Sequence, residues 1–271
     1  MSLNVFGCPE SSIATHKDTI ANKPKEEKTY HSCGIWTQAS YINHSCTSNA
    51  HRSFIGDMMI VRAARDMEPD TEITFWYQIP TSHDVKKMQD KLRSGWGFTC
   101  TCAICQDEKQ TTASVRAERR KLLDKVKKLC QVAAEQNIQV GKVERLLKAL
   151  HETYARPADQ VPRLLLWDPQ LLVTRLYMAK GNIKSALAST NQVLVSLGFV
   201  VSGADDTSAD FEVVKWGLAV DHLVEAFLHA RDAYVAMEAW ENSKKAEEYA
   251  RTAYKVLVGE DESFGSTYPR Y

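Results

Sequence analysis

Asn43-His44-Ser45-Cys46, with Asn49 three residues further on, is the stretch from which the rest of this chain can be read. Two blocks follow it in order. Glu72-Ile73-Thr74-Phe75-Trp76-Tyr77 is rich in β-branched and aromatic residues and predicts a short strand. Trp96-Gly97-Phe98-Thr99-Cys100-Thr101-Cys102-Ala103-Ile104-Cys105 places three cysteines within six residues. Residues 50–54 and 58–63 predict two more short strands. Gly56-Asp57 supplies the turn chemistry between these two, and Glu68-Pro69-Asp70 that between residues 58–63 and 72–77. Residues 84–92 are charged and predict a short helix.

Three thiolates on one tight turn point to metal. Seven cysteines is an odd number, and they are not spaced as a disulfide framework. The N-terminus, Met1-Ser2-Leu3-Asn4-Val5-Phe6, lacks the basic-then-apolar layout of a secretory signal, so a reducing compartment is the expectation. Zinc takes four ligands in a tetrahedron. Cys100, Cys102 and Cys105 supply three, and the fourth must come from elsewhere in the chain. The competing reading is disulfides or idle thiols. Cys8, Cys33 and Cys130 are expected to pack as small apolar groups.

Composition excludes several classes. The 271 residues are 44% hydrophobic, enough for one large domain or two ordinary ones. Lys+Arg and Asp+Glu are equal at 34 each, so no overall field steers the chain to nucleic acid or a membrane. No apolar run approaches the ~20 residues that span a bilayer. Adjacent Ser45, His44 and Cys46 do not make a nucleophile–base pair, because triad members meet through folding. No Gly-x-Ser-x-Gly elbow occurs either.

Residues 8–32 are polar around Lys23-Pro24-Lys25-Glu26-Glu27-Lys28 and hold no apolar period, which predicts an exposed loop. His16, His31, His51 and His83 have no ligand-like spacing and are assigned to loops or the surface. From Val115 the pattern changes. Val115, Leu122, Leu123, Val126, Leu129, Cys130 and Ala133 fall at helical intervals, and Val143, Leu146, Leu147 and Leu150 predict a second helix. Residues 164–178 and 183–197 predict a helical pair around the turn Gly181-Asn182. After a polar loop at 203–210, Phe211, Val214, Leu218, Leu223 and Phe227 continue the helical region, and Ala246, Tyr249, Ala250, Ala253 and Leu257 mark the last helix. Residues 176–194 and 233–257 look like tetratricopeptide (TPR) hairpins, without a strict 34-residue repeat. Trp167, Trp216 and Trp240 are expected in the core. The basic run Arg116, Arg119, Arg120, Lys121, Lys125, Lys127 and Lys128 reads as a solvated helix face, and Gly259-Glu260-Asp261-Glu262 as a frayed end.

The three blocks in this order resemble the C-terminal half of a SET domain and its cysteine-rich post-SET segment. The variety is that of SMYD-like proteins and of fungal proteins joining SET to TPR-like helices. SET domains are protein-lysine methyltransferases that use S-adenosylmethionine. The resemblance implies an α+β fold: a partial, β-rich SET and post-SET domain over residues 1–110, an all-α TPR-like domain over 113–258, and a tail at 259–271. It implies that Cys46 completes the Zn2+ site with Cys100, Cys102 and Cys105. It implies that Tyr77 is the tyrosine whose hydroxyl sits beside the transferring methyl. Asn4, Asn43, His44 (mainly through its backbone), Tyr77, Trp96 and Phe98 would line the cofactor site. The chemistry fits these residue types. An apolar aromatic channel disfavours the charged lysine and so frees its amine, and rings cradle a sulfonium.

Two departures from the family pattern stand out. Thr47-Ser48 replaces the usual proline between the cysteine and Asn49. Neither the Gly-x-Gly segment that opens a SET domain nor a MYND zinc cluster precedes Asn43, so the chain is expected to begin midway through the fold and to be weakly active alone. The expected partner is a protein or peptide lysine, with histones among the candidates, and a second peptide in the concave face of the helical arm. Nucleic acid and membrane are not expected, and the compartment is the nucleus or cytoplasm. The rival reading is a non-catalytic, zinc-stapled interaction module. A zinc-dependent nucleic-acid binder is a further rival, disfavoured by zero net charge.

Overall fold

The computed structural model describes residues 6–8, 11–21, 32–80, 85–131, 138–204 and 209–269. Asn4, His31 and His83 lie outside the described residues. The first part is a set of short strands with one helix: β1 (Phe6–Cys8), α1 (Ser12–Ile20), β2 (Ser32–Gly34), β3 (Asn43–His44), β4 (Ala50–Ile55), β5 (Met58–Ala63) and β6 (Thr74–Phe75). β1 pairs antiparallel with β2, and β4 with β5. β3 runs parallel to β6, with Asn43 opposite Thr74 and His44 opposite Phe75. The three predicted strands are present, the last shorter than its sequence run.

Helices follow: α2 (Val85–Trp96), α3 (Ala103–Gln110), α4 (Ala113–Cys130), α5 (Val140–Glu152), α6 (Trp167–Ala179) and α7 (Ile183–Ser196). After the hairpin of β7 (Val200–Ser202) and β8 (Glu212–Lys215) come α8 (Leu223–Ala236), α9 (Trp240–Val258) and the short α10 (Phe264–Thr267). Consecutive helices pack as pairs. Leu122, Val126, Val143, Leu147 and Leu150 of α4 and α5 share one core with Val173 and Leu176 of α6. A larger core joins α6 to α9 through Leu187, Leu194, Phe199, Phe227, Tyr234 and Tyr254. Ala246, Ala250 and Ala253 are fully buried where α9 meets its neighbours.

Several expectations are corrected. Residues 12–20 of the predicted loop are helix α1. Ser11 caps it by accepting from the Ala14 N–H at 3.0 Å, and Ser12 Oγ accepts from the Phe54 N–H at 2.8 Å. Tertiary partners hold it where its own apolar pattern is weak. His16 on α1 is buried, its Nε2 2.8 Å from the Tyr268 hydroxyl, and His51 lies on β4 rather than on a loop. The stretch around Val213 and Val214 is strand β8, because the chain turns back on β7 before α8 begins. The acidic end is packed rather than frayed. Phe264 is buried against Tyr254, and Arg62 donates to the Gly259 carbonyl at 2.8 Å. Gly259 has φ +98°, and a Cβ there would lie 2.5 Å from Ser53 Oγ, so only glycine lets the end of α9 lie on β4. Trp240 is 58% exposed and Cys33 is exposed, against the core positions expected, while Cys130 is half-buried beside the α4–α5 core. Of the basic run, Arg119 is buried and pairs with Asp107 at 3.4 Å.

Candidate active site and metal centre

Asn49 is the residue that fixes the Asn-His-Ser-Cys segment. Its Nδ2 donates to the Glu72 carbonyl at 2.9 Å and its Oδ1 accepts from the Thr74 N–H at 2.8 Å. The backbones meet too, Asn49 N donating to the Thr74 carbonyl at 3.2 Å. One buried amide therefore sets the register of β3 against β6 and delivers Tyr77 beside His44. Trp76 Nε1 donates to the Cys46 carbonyl at 3.1 Å, which adds a second tie.

Cys46 is fully buried, and Cys100 and Cys105 nearly so. The Sγ atoms of Cys46, Cys100, Cys102 and Cys105 all lie within 4.8 Å of one another. Cys46 Sγ stands 3.8 Å from that of Cys100 and 3.6 Å from that of Cys105. Four sulfurs at about 2.3 Å from a tetrahedral zinc would be about 3.8 Å apart. The donor set and spacing therefore fit Zn2+. All four cysteines are free, which removes the disulfide reading for them. Hydrogen bonding with Cys100 leads in pushing the Cys46 thiol up, and bonding with Cys102 leads in pulling Cys100 down.

Two supports were not legible in the sequence. Gln89 on α2 clamps the Cys100 backbone, donating to its carbonyl at 2.9 Å and accepting from its N–H at 2.9 Å. Asp107 on α3 is held by Arg119 and by Arg156 at 3.5 Å, and Arg156 also donates to the Ala103 carbonyl. A single Gln in a charged helix carries no signal of its role. Met88 on the same helix touches Cys46 Sγ at 3.5 Å.

Around this cluster the expected aromatic residues converge. The Tyr77 ring lies 5.3 Å from Trp96, 6.1 Å from Phe98 and 5.6 Å from His44. The Tyr77 hydroxyl donates to the Ile42 carbonyl at 2.7 Å, and burial raises its pKa, keeping it a neutral phenol. Tyr77, Trp96 and Phe98 also pack against the cysteine core, with Leu92 and Met88 beneath. Asn43 is exposed at the rim, where its Nδ2 donates to Glu72 at 2.7 Å. So His44, Tyr77, Trp96, Phe98 and the four cysteines form one constellation, and Asn43 borders it.

Residues 10–78 match the model of the SET domain, so over this segment the chain is similar to SET-domain proteins. Its relatives are methyltransferases by name, and SET5 and SMYD3 among them carry lysine in theirs. A "Methyltransferase" of Gibberella zeae is 33% identical over 97% of this chain and 37% of its own length. "Histone-lysine N-methyltransferase SET5" of Meyerozyma guilliermondii is 40% identical over 28% of this chain and 16% of its own length. Human "Histone-lysine N-methyltransferase SMYD3" is 24% identical over 60% of this chain and 36% of its own length. The chain thus spans little more than a third of the length of the first of these relatives. The family match begins at residue 10, within the stretch read from sequence as preceding any SET feature.

Proposed function

We propose that this chain takes part in S-adenosylmethionine-dependent methylation of a protein lysine, with Tyr77 at the reacting centre. The observation that carries the reading is the packing of the His44, Trp96 and Phe98 rings around Tyr77, beside the four-cysteine cluster. S-adenosylmethionine, when bound, supplies an activated methyl on a sulfonium. The residues here would do the rest. Tyr77 has its proton engaged by the Ile42 carbonyl, so its oxygen presents lone pairs to an incoming amine. Trp96 and Phe98 would exclude water and penalise the ammonium form of the lysine. Asn43 and the His44 backbone would hold the cofactor, and Asn4 belongs to the same proposed set. Zn2+ on Cys46, Cys100, Cys102 and Cys105 would fasten the segment carrying Trp96 and Phe98 to β3, so that metal binding acts as folding free energy.

The division into residues 1–110 and 113–258 is part of the same reading, as is the TPR-like character of the α6–α7 and α8–α9 pairs. The close turn at Gly181 (φ +67°) and the buried alanines of α9 support it. The arm would wall the substrate cleft and take a peptide on its concave face. A histone is the first substrate to try, since the SET5 and SMYD3 relatives carry that word in their names.

The test uses the full chain. Metal analysis should give about one zinc per chain. Calorimetric titration with S-adenosylmethionine should give heat, and radiolabelled methyl should pass to histone or peptide lysines. Tyr77→Phe should lower turnover roughly 10²-fold or more while zinc content holds. Absence of both heat and transfer at millimolar cofactor in zinc-loaded protein would leave the interaction-module reading instead.

A further inference from the structure

We infer that the His44 side chain is a positioning residue that couples the metal cluster to the backbone of Tyr77, a role separate from the backbone contact with cofactor expected of it. Its two ring nitrogens can be assigned from their partners. Nδ1 lies 3.1 Å from the backbone nitrogen of Tyr77. A backbone N–H only donates, so Nδ1 accepts and carries no proton. In a neutral imidazole the proton then sits on Nε2. Nε2 is 3.5 Å from Cys46 Sγ, so it donates to that sulfur.

The setting makes this a held arrangement rather than a passing one. His44 is only 8% exposed, and the rings of Tyr77 and Phe98 flank it at 5.6 and 6.1 Å. The parallel pairing of His44 with Phe75 places the imidazole two residues short of Tyr77, within reach of its N–H. The same side chain therefore senses where the Cys46 sulfur is and where the Tyr77 backbone is. A donor to a metal-bound thiolate withdraws charge from the sulfur and orients the ligand, and loss of such a partner typically weakens metal binding 10–100-fold. The inference rests on the zinc reading above.

Two variants separate the two bonds. In His44→Asn the amide oxygen stands near the place of Nδ1 and can accept from Tyr77, but nothing reaches Cys46. In His44→Gln the amide nitrogen reaches toward the place of Nε2 and can donate to Cys46, while the Tyr77 N–H loses its acceptor. Zinc affinity, read by competition with a chromophoric chelator, should fall about 10–100-fold in His44→Asn and stay within about threefold of the parent in His44→Gln. The thiolate-to-cobalt charge-transfer band of the Co2+-loaded chain should shift in the first and not in the second. Equal zinc affinity and an unchanged band in His44→Asn, or equal losses in both variants, would overturn the assignment. A third measurement needs no variant. In the 113Cd-loaded parent labelled with 15N-histidine, His44 should show a protonated Nε2 with scalar coupling to cadmium, and the opposite tautomer would overturn the inference. A parent that binds no zinc, cobalt or cadmium would instead refute the zinc reading, and this inference with it.

Discussion

At the scale of single residues, the buried amide of Asn49 decides more than any charged group. It satisfies the Thr74 N–H and the Glu72 carbonyl together, and both would be orphaned by its removal. Asn49→Ala should cost roughly 1–3 kcal/mol of stability, the price of unsatisfied buried polar groups. Urea unfolding should show the midpoint moving at constant slope. A shift indistinguishable from zero would mean that β3 and β6 keep their register without it. Asn49 was readable as part of the motif, but its partners were not, because they lie 23 and 25 residues away. Gln89 is a harder case. Its clamp on Cys100 spans 11 residues and depends on how α2 turns toward the cysteine segment, which no spacing rule encodes.

At the scale of elements, α9 illustrates how side-chain size sets helix spacing. Ala246, Ala250 and Ala253 lie on its buried face, while Glu248 is exposed on the opposite side. Ala250→Leu should destabilise by about 1–3 kcal/mol through overpacking. Glu248→Ala should change stability by no more than about 0.5 kcal/mol. Comparable midpoints for the two variants in chemical denaturation would show that α9 has room to move outward. This small-residue stripe was visible in the sequence, because helical period and residue size are local properties. Helix α1 was not visible. Its nine residues carry little apolar pattern, and its stability comes from Ser11, Ser12 and the burial of His16. The β7–β8 hairpin was missed for a related reason: its valines fit helix or strand, and only pairing across the turn chooses between them.

At the scale of the whole molecule, the SET segment and the helices meet along a continuous seam. Ile13, Trp76 and Ile104 pack against the large helical core, and Arg62 and Ser53 contact the end of α9. Two histidines sit in this seam. Burial lowers the pKa of His16 from 6.5 to about 4, against the attraction of Asp221, and burial lowers that of His51 to about 4 as well. His222 and Arg52 add positive charge nearby, while Tyr254 and Tyr268 pack on His16. A histidine kept neutral in the folded state gains a proton on unfolding below its ordinary pKa. Stability should therefore rise with pH between about 4 and 6.5 and be lost as pH falls through that window. The buried His16 can contribute roughly 3 kcal/mol across it, and the part-exposed His51 less. Melting curves from pH 7 to 4 should show the decline, and His16→Phe should flatten it. An undiminished slope in that variant would assign the acid sensitivity to other groups. Glu225 works the other way: burial opposes its charge, but bonds from Arg175 at 2.5 and 2.7 Å, His222 and His229 hold its carboxyl well below the usual range.

What the sequence determined by itself was chemistry of short reach. The cysteine triplet, the aromatic strand end, the strand–turn alternation and the helical periods are each written within a dozen residues, so local geometry reports them directly. The convergence of Cys46 on Cys100 and Cys105, the tautomer of His44 and the docking of α1 and α10 on one seam were decided by the tertiary structure. Each joins groups tens to hundreds of residues apart, and their contact depends on how buried surfaces fit rather than on any pattern along the chain.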